Sequence, residues 1–231
     1  MQTSVDTLGR SIRLAFALAA TTSSALAAES TVGGVLIRLP PPAGFCELSD
    51  TDSSDERMLA VTSDLVSKSG NKLLSISADC RQLTDWRANR RLLDDYSQYQ
   101  TSVALMEKPS VEPVKRTCAA LRAQGDKLVA EKTTDIKSRV ESVLEKVKIN
   151  EMSFIGVLAE DTAACYGGLI QKLQTEAGTD KTQLTVFAAT IVKSKSIFVY
   201  RMTVYMTSET VTKTLANLKT DIAALQAANQ N

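Results

Sequence analysis

The chain has 231 residues, 27 of them basic and 26 acidic, with no histidine, 44% hydrophobic and 5% aromatic content. A net charge near zero removes the electrostatic case for nucleic acid or an anionic membrane as partner, and the scarcity of aromatic rings leaves little for base or sugar stacking. Absence of imidazole excludes Ser-His-Asp and Cys-His catalysis and the histidine-containing zinc sites. Any enzyme built from this chain would use carboxylate, lysine or serine groups retuned by burial.

The first 27 residues read as a secretory signal. Arg10 and Arg13 precede a short apolar run, Leu14 to Ala20, and small residues end in Ala25-Leu26-Ala27, an A-x-A site. Cleavage is expected after Ala27, leaving residues 28–231 as one domain. No later window approaches the roughly 18 consecutive apolar residues of a membrane helix, so no integral span is expected after signal removal. Lipid attachment at Cys46 is disfavoured, because Phe45 precedes it and the cleavage site lies far upstream.

From Thr31 onward the pattern is α+β. Val35, Ile37 and Leu39 alternate in a first strand stopped by Pro40, Pro41 and Pro42, which cannot donate ladder hydrogen bonds. A helix is predicted from Asp55 to Ser67, with Met58, Leu59, Thr62, Leu65 and Val66 at helical spacing and Gly70 and Asn71 ending it. Leu74, Ile76, Ala78 and Cys80 then alternate in a strand whose inward side carries the thiol. The following "RQLTDWRANRRLLDDY" holds the single tryptophan, Trp86, and four arginines, Arg81, Arg87, Arg90 and Arg91. Asp85, Asp94 and Asp95 sit among them, which points to a solvated, ion-paired face rather than an anion site. "SQYQTSVALM" reads as a third strand.

Glu112 to Lys148 is the most helical stretch. One stripe runs Val111, Val114, Cys118, Leu121 and another Ile136, Val140, Val143, Leu144, Val147, separated by Gly125, which predicts two helices or one bent helix. After Asn150 the texture changes to an antiparallel meander of four strands. In its last strand Phe198, Tyr200, Met202, Val204 and Met206 alternate with more polar neighbours, predicting one buried and one partly exposed face. That exposed face is the first place to look for a site. A terminal helix from about Ser208 to Ala227, capped by Thr207 or Ser208, carries Val211, Leu215, Leu218, Ile222 and Leu225, and "AANQN" follows as a polar tail with no assigned role.

The cysteines Cys46, Cys80, Cys118 and Cys165 have no C-x-x-C spacing, which argues against redox exchange centres and zinc ribbons. An even count in an exported chain points to structural disulfides. Of the three pairings, Cys46 with Cys80 and Cys118 with Cys165 is preferred, since Cys46 follows the first strand and Cys80 ends the second. Each bridge would be worth about 3 to 4 kcal/mol in the chain-entropy model. Gly167-Gly168 lacks a Walker or dinucleotide context and reads as a bulge or close packing. Glu160-Asp161, an acidic pair at a turn, lacks the ligand count calcium needs. No S-x-x-K or G-x-S-x-G occurs. The sequence therefore offers no catalytic residue, metal ligand or cofactor site.

Taken in order, "LPPPAGFCEL" after a strand, "SADC" before a Trp-Arg segment, and the closing "GVLAED … VFAATIVKSKSIFVYRMTVY" meander with its helix resemble a group of uncharacterised exported proteins of alphaproteobacteria. The architecture resembles the PsbP-like α/β/α sandwich, an antiparallel sheet covered by helices on both sides. The resemblance implies a periplasmic location and a non-enzymatic accessory or binding role, with another protein, an envelope component or a small ligand as partner. The alternative is a periplasmic enzyme with carboxylate, lysine or serine chemistry. A deep polar cleft with retuned groups would favour the enzyme, and a broad exposed apolar patch would favour a protein-binding module.

Overall fold

The computed structural model describes residues 27–110, 114–143, 147–175 and 180–230. The expected signal thus lies, apart from Ala27, outside the described residues. The first strand, β1 (Ala28–Val32), pairs with β2 (Val35–Leu39) in a hairpin turned by Gly33 and Gly34, whose φ angles are 50° and 74°. Two successive positive φ values match the strand twist and favour glycine. A Cβ on Gly33 would also lie 2.0 Å from the carbonyl oxygen of Met106. The sequence reading misses β1 because "AESTV" lacks apolar alternation and buries only Val32 fully.

The chain continues through β3 (Phe45–Glu47), α1 (Ser53–Lys68), β4 (Asn71–Asp79), α2 (Cys80–Arg87), β5 (Tyr96–Ser102), a 3-10 turn (Val103–Leu105) and α3 (Val114–Val143). It ends with β6 (Val147–Glu160), β7 (Ala164–Thr175), β8 (Asp180–Val192), β9 (Lys195–Val204) and α4 (Ser208–Ala228). Strands β3 to β9 form one seven-stranded sheet in the order β3-β4-β5-β9-β8-β7-β6, antiparallel throughout. The α+β fold with a C-terminal helix is therefore as read from the sequence.

Helices cover both faces of the sheet. On one face Tyr99, Tyr166, Leu184, Val186, Ala188, Ile197 and Val199 pack against Leu218, Ile222 and Leu225 of α4 and against Val32, Ile37 and Leu39 of the hairpin. Each fully buried aliphatic side chain contributes roughly 1.5–3 kcal/mol by leaving water. On the other face α1 and α2 close one end around Leu48, Ile76, Ala78, Leu83 and Leu93, while α3 covers β6 and β7. Strand β9 has one buried and one partly exposed face, as expected, but the inward set is not the one read from the sequence. Ile197 and Val199 are fully buried beneath α4, whereas Phe198 and Tyr200, read as the inward set, are only half-buried and Met206 is exposed.

Four boundaries also differ from the sequence reading. Asp79 ends β4 by capping α2, accepting the backbone N–H of Arg81 at 2.9 Å and of Gln82 at 3.3 Å, so Cys80 opens a helix rather than closing a strand. Asp52 caps α1 in the same way and starts it at Ser53. The third strand stops at Ser102, and Val103–Leu105 turn out of the sheet. Helix α3 is one unbroken element through Gly125; the side chains of Ile136, Val140, Val143, Leu144 and Val147, read as its second stripe, lie outside the described residues. Gly125 is where the Phe154 ring rests on α3, since a Cβ there would lie 2.2 Å from a ring carbon. Gly167 and Gly168 show the close packing expected of them, against Phe187 and Ile155.

The tail does have a role. Asn229 accepts the Arg38 N–H at 2.9 Å and donates to the Arg38 and Leu225 carbonyls, both at 2.8 Å, so its amide acts as a one-residue strand neighbour for β2. Both bridges are formed in the preferred pairing, Cys46 with Cys80 and Cys118 with Cys165, and no cysteine is free. Among the described residues no helix is long and apolar enough to cross a membrane.

Gly125→Ala should destabilise the protein by about 1–3 kcal/mol through overpacking, although alanine gains about 1 kcal/mol of helix propensity. Urea unfolding checks this, and adding Phe154→Leu should recover part of the loss.

Candidate binding cleft

The arginine-rich stretch folds into α2 and the turn after it, and its charges are mostly paired, as expected. Arg81 bonds Asp79, Arg90 bonds Asp85 and Arg91 bonds Asp94. Arg87 departs from the solvated picture, since it reaches the fully buried Asp55 of α1, whose carboxylate also accepts the Ser49 N–H. That pair ties α1 to α2. Asp94 takes a further bond from Lys181 of β8. Burial pushes the Asp94 carboxyl up, but Lys181 and Arg91 outweigh it and hold the group below the ordinary carboxylate range. Gln82 then bridges Asp94 and Asp95, accepting both backbone N–H groups and donating to the Asp95 carboxylate at 2.7 Å. The other oxygen of Asp95 accepts the hydroxyl proton of Thr203.

Of these residues Asp79, Arg81 and Asp95 form one wall of an open cleft of about 490 Å³. The floor is the end of β9, Arg201 to Val204. The second wall is the first half of α4, which presents Glu209, Thr210, Lys213 and Asn217. Phe45 from the edge strand β3 closes the side, with Asp79 and Arg81 beside it. Three acidic side chains (Asp79, Asp95, Glu209) and three basic ones (Arg81, Arg201, Lys213) line the space.

Arg201 is the structural centre. Its Nε donates to Asp221 of α4 at 2.6 Å and an Nη at 3.4 Å, and its guanidinium lies 4.6 Å from the centroid of the Phe45 ring. The two ionic side chains retain only 12% and 5% of their exposure. Burial pushes the Asp221 carboxyl up while Arg201 opposes the shift, whereas at the rim the Arg81 guanidinium holds Asp79 low. The two shifts thus run in opposite directions, and each carboxylate faces its own arginine. The hydroxyls are committed as well. Thr207 and Thr210 cap α4 reciprocally, and Thr214 donates to the Thr210 carbonyl at 2.7 Å.

The arrangement suits holding charge in fixed places more than moving protons. Neither an imidazole nor a free thiol is available to it. The other sequence candidates serve the fold. Asp161 accepts the N–H groups of Ala163 and Ala164, both at 2.9 Å, and Glu160 pairs with Arg122 across to α3. Among the described residues no cluster of acidic side chains and cysteines suits a metal. The exposed large apolar side chains among the described residues are Leu36, Leu92, Val103, Leu105 and Met206.

Sequence reasoning singled out Asp95 and Arg81 but missed Arg201, Asp221 and Lys213. A signal existed, because Arg201 occupies the inward face shared with Ile197 and Val199, and Asp221 interrupts the apolar stripe of Leu218, Ile222 and Leu225. Opposite charges on two buried faces mark a pair.

Asp221→Ala should cost about 3–5 kcal/mol, because it strands a buried guanidinium, and the double change Arg201→Met, Asp221→Leu should recover most of that; equilibrium unfolding in urea measures both. Asp94 contributes stability that is fully present above the unfolded carboxylate pKa of about 3.9 and is lost as pH falls through its lowered folded value. Asp94→Asn should therefore flatten the acid limb of the stability–pH curve, read as urea midpoints between about pH 5 and pH 2.5. No protein-family model matches the chain, and no curated protein matches it either.

Proposed function

We propose that the protein is an exported, periplasmic binding or accessory module without enzymatic activity, and that the cleft beside α4 is where it holds its ligand. The observation that carries this reading is the pairing within the cleft. Arg201 is locked to Asp221 and stacked on Phe45, Arg81 pairs with Asp79 at the exposed rim, and the threonines are bonded. Groups fixed in this way present a constant pattern of charge to a ligand and have no slack for a catalytic proton shuttle. Three charges of each sign match a small ligand or peptide end that carries both signs. Lys213 and Glu209, exposed one helical turn apart on α4, form the outer contacts.

Two disulfides support residence in an oxidising compartment. Helix layers on both faces of an antiparallel sheet support the likeness to PsbP-like domains. The enzymatic alternative draws on the polar lining of the cleft and on one contact, the Thr203 hydroxyl donating to Asp95. Asp95 is already held by Gln82, so it fits an anchoring carboxylate better than a free base.

The test is a titration of the oxidised mature protein with zwitterionic amino acids and short peptides, followed by nuclear magnetic resonance shifts of the α4 and β9 amides. Lys213→Glu should weaken the binding about tenfold, equal to 1.4 kcal/mol. Perturbations spread elsewhere, or turnover of the added compounds, would refute the reading. Fractionation of cells should recover a chain beginning at Ala28 with both bridges closed.

A further inference from the structure

The two disulfides occupy opposite environments. Cys118 and Cys165 are both 0% exposed, and their bridge joins α3 to β7 inside the protein. Cys46 is exposed and Cys80 half-buried. Their bridge joins β3 to the start of α2, 34 residues apart in the chain. Thiol–disulfide exchange requires a thiolate to reach a sulfur, so access separates the two bridges.

The accessible bridge is also the one next to the cleft. Cys46 directly follows Phe45, and Cys80 lies between Asp79 and Arg81; all three neighbours line the cleft. Strand β3 has three residues, sits at the sheet edge and is paired only to β4. Outside that ladder the segment from Gly44 to Leu48 is held by three backbone bonds, Phe45 N–H to the Pro42 carbonyl at 2.9 Å, Cys80 N–H to the Gly44 carbonyl at 3.1 Å and Leu48 N–H to the Ile76 carbonyl at 3.0 Å. So short an edge strand frays readily without a covalent tie. When it frays, the Phe45 ring leaves Arg201.

We propose that Cys46–Cys80 is a thiol-sensitive latch that holds Phe45 and the Asp79–Arg81 pair in the ligand-binding arrangement, while Cys118–Cys165 keeps the rest of the fold intact. The reductant is a dithiol, either a small molecule or a protein with a paired-cysteine centre. Its thiolate attacks the exposed sulfur of Cys46, the bond to Cys80 breaks, and Cys80 leaves as a thiolate that takes up a proton. The second thiol of the reductant then displaces Cys46. The protein gains two electrons and two protons, and the dithiol becomes a disulfide. The proposal rests on the cleft being the ligand site.

Graded reduction of the mature protein with dithiothreitol tests it, with differential alkylation and mass spectrometry reporting each cysteine. Trp86, on the helix that Cys80 begins, is the only tryptophan and serves as an internal reporter. Cys46 and Cys80 should become alkylated together at roughly tenfold lower dithiothreitol than Cys118 and Cys165. In that window Trp86 emission should shift, hydrogen exchange should quicken at Phe45–Glu47, and far-ultraviolet circular dichroism should hold. Simultaneous appearance of all four thiols, or opening of the first pair with no change at Phe45–Glu47, would overturn the latch. The Cys46→Ser, Cys80→Ser variant should reproduce the reduced state, and if it does not fold, the graded reduction of the native protein remains decisive. These readouts need no ligand. Loss of the titration response in the reduced protein supports the latch, whereas a latch that opens as described in a protein that binds none of the zwitterions removes the binding reading alone.

Discussion

The Arg201–Asp221 pair fixes how α4 sits on the sheet, and much of the rest of the structure follows from that. Twenty residues apart in sequence, the two groups meet where the apolar face of β9 gives way to the cleft. A buried pair adds little net stability over a well-packed apolar contact, because both ions give up hydration. It does penalise alternatives, since sliding α4 by one turn would strand a charge on each side. Apolar burial of Leu218, Ile222 and Leu225 holds the helix down, and the ion pair sets its register. Phe45, stacked on the same guanidinium, extends this fixation to the edge strand β3, three positions along the sheet order from β9.

A sheet buried on both faces still has two edges, and each is blunted differently. Strand β3 is too short to template another chain. Strand β6 is long, but its ladder with β7 slips register between Ile149 and Glu151, Phe154 and Gly156, and Val157 and Ala159, and Gly156 adopts a φ of 97°. Such irregularities bend an edge strand away from the flat geometry that invites pairing. Helix α3 packs against β6 as well, placing Gly125 on Phe154 and Arg122 on Glu160. The sulfur bridges follow the same division: one braces the short edge strand, and the other pins the helix that guards the long one.

Elements with a strong local period were legible in the sequence. The stripe of Leu218, Ile222 and Leu225 identifies α4, and alternation identifies β4 and the four-strand meander. Spacing and compartment suggested structural disulfides, and the placement of Cys46 and Cys80 at the ends of successive strands suggested the pairing. Features that depend on partners remote in sequence were not legible. β1 is a strand because β2 pairs with it, not because "AESTV" prefers to be one. Gly125 reads as a break because glycine disfavours helix, yet the missing Cβ makes room for the ring of Phe154, remote in sequence. In β9 the side chains of both faces are apolar enough that alternation alone could not say which face meets α4. Asp79 misled in a smaller way, since an alternating run continues through it to Cys80 while its carboxylate starts a helix instead.

The same asymmetry explains why the cleft was largely invisible. Its charged residues come from the end of β4, α2, the turn after it, β9 and α4, and none has a spacing that marks chemistry. Each looks like an ordinary surface charge until the fold brings it to a partner. Arg201 and Asp221 are exceptions in principle, because a charge on an apolar face is a local anomaly. A lone anomaly predicts burial with some counter-charge, and the second one, on the terminal helix, says where that counter-charge lies. Applied to the whole chain, this criterion also picks out Asp55, which sits in the first turn of α1 and is fully buried against Arg87. Thus the two buried carboxylates among the described residues, Asp55 and Asp221, both sit where a helix is locked to the rest of the molecule, α1 to α2 and α4 to the sheet.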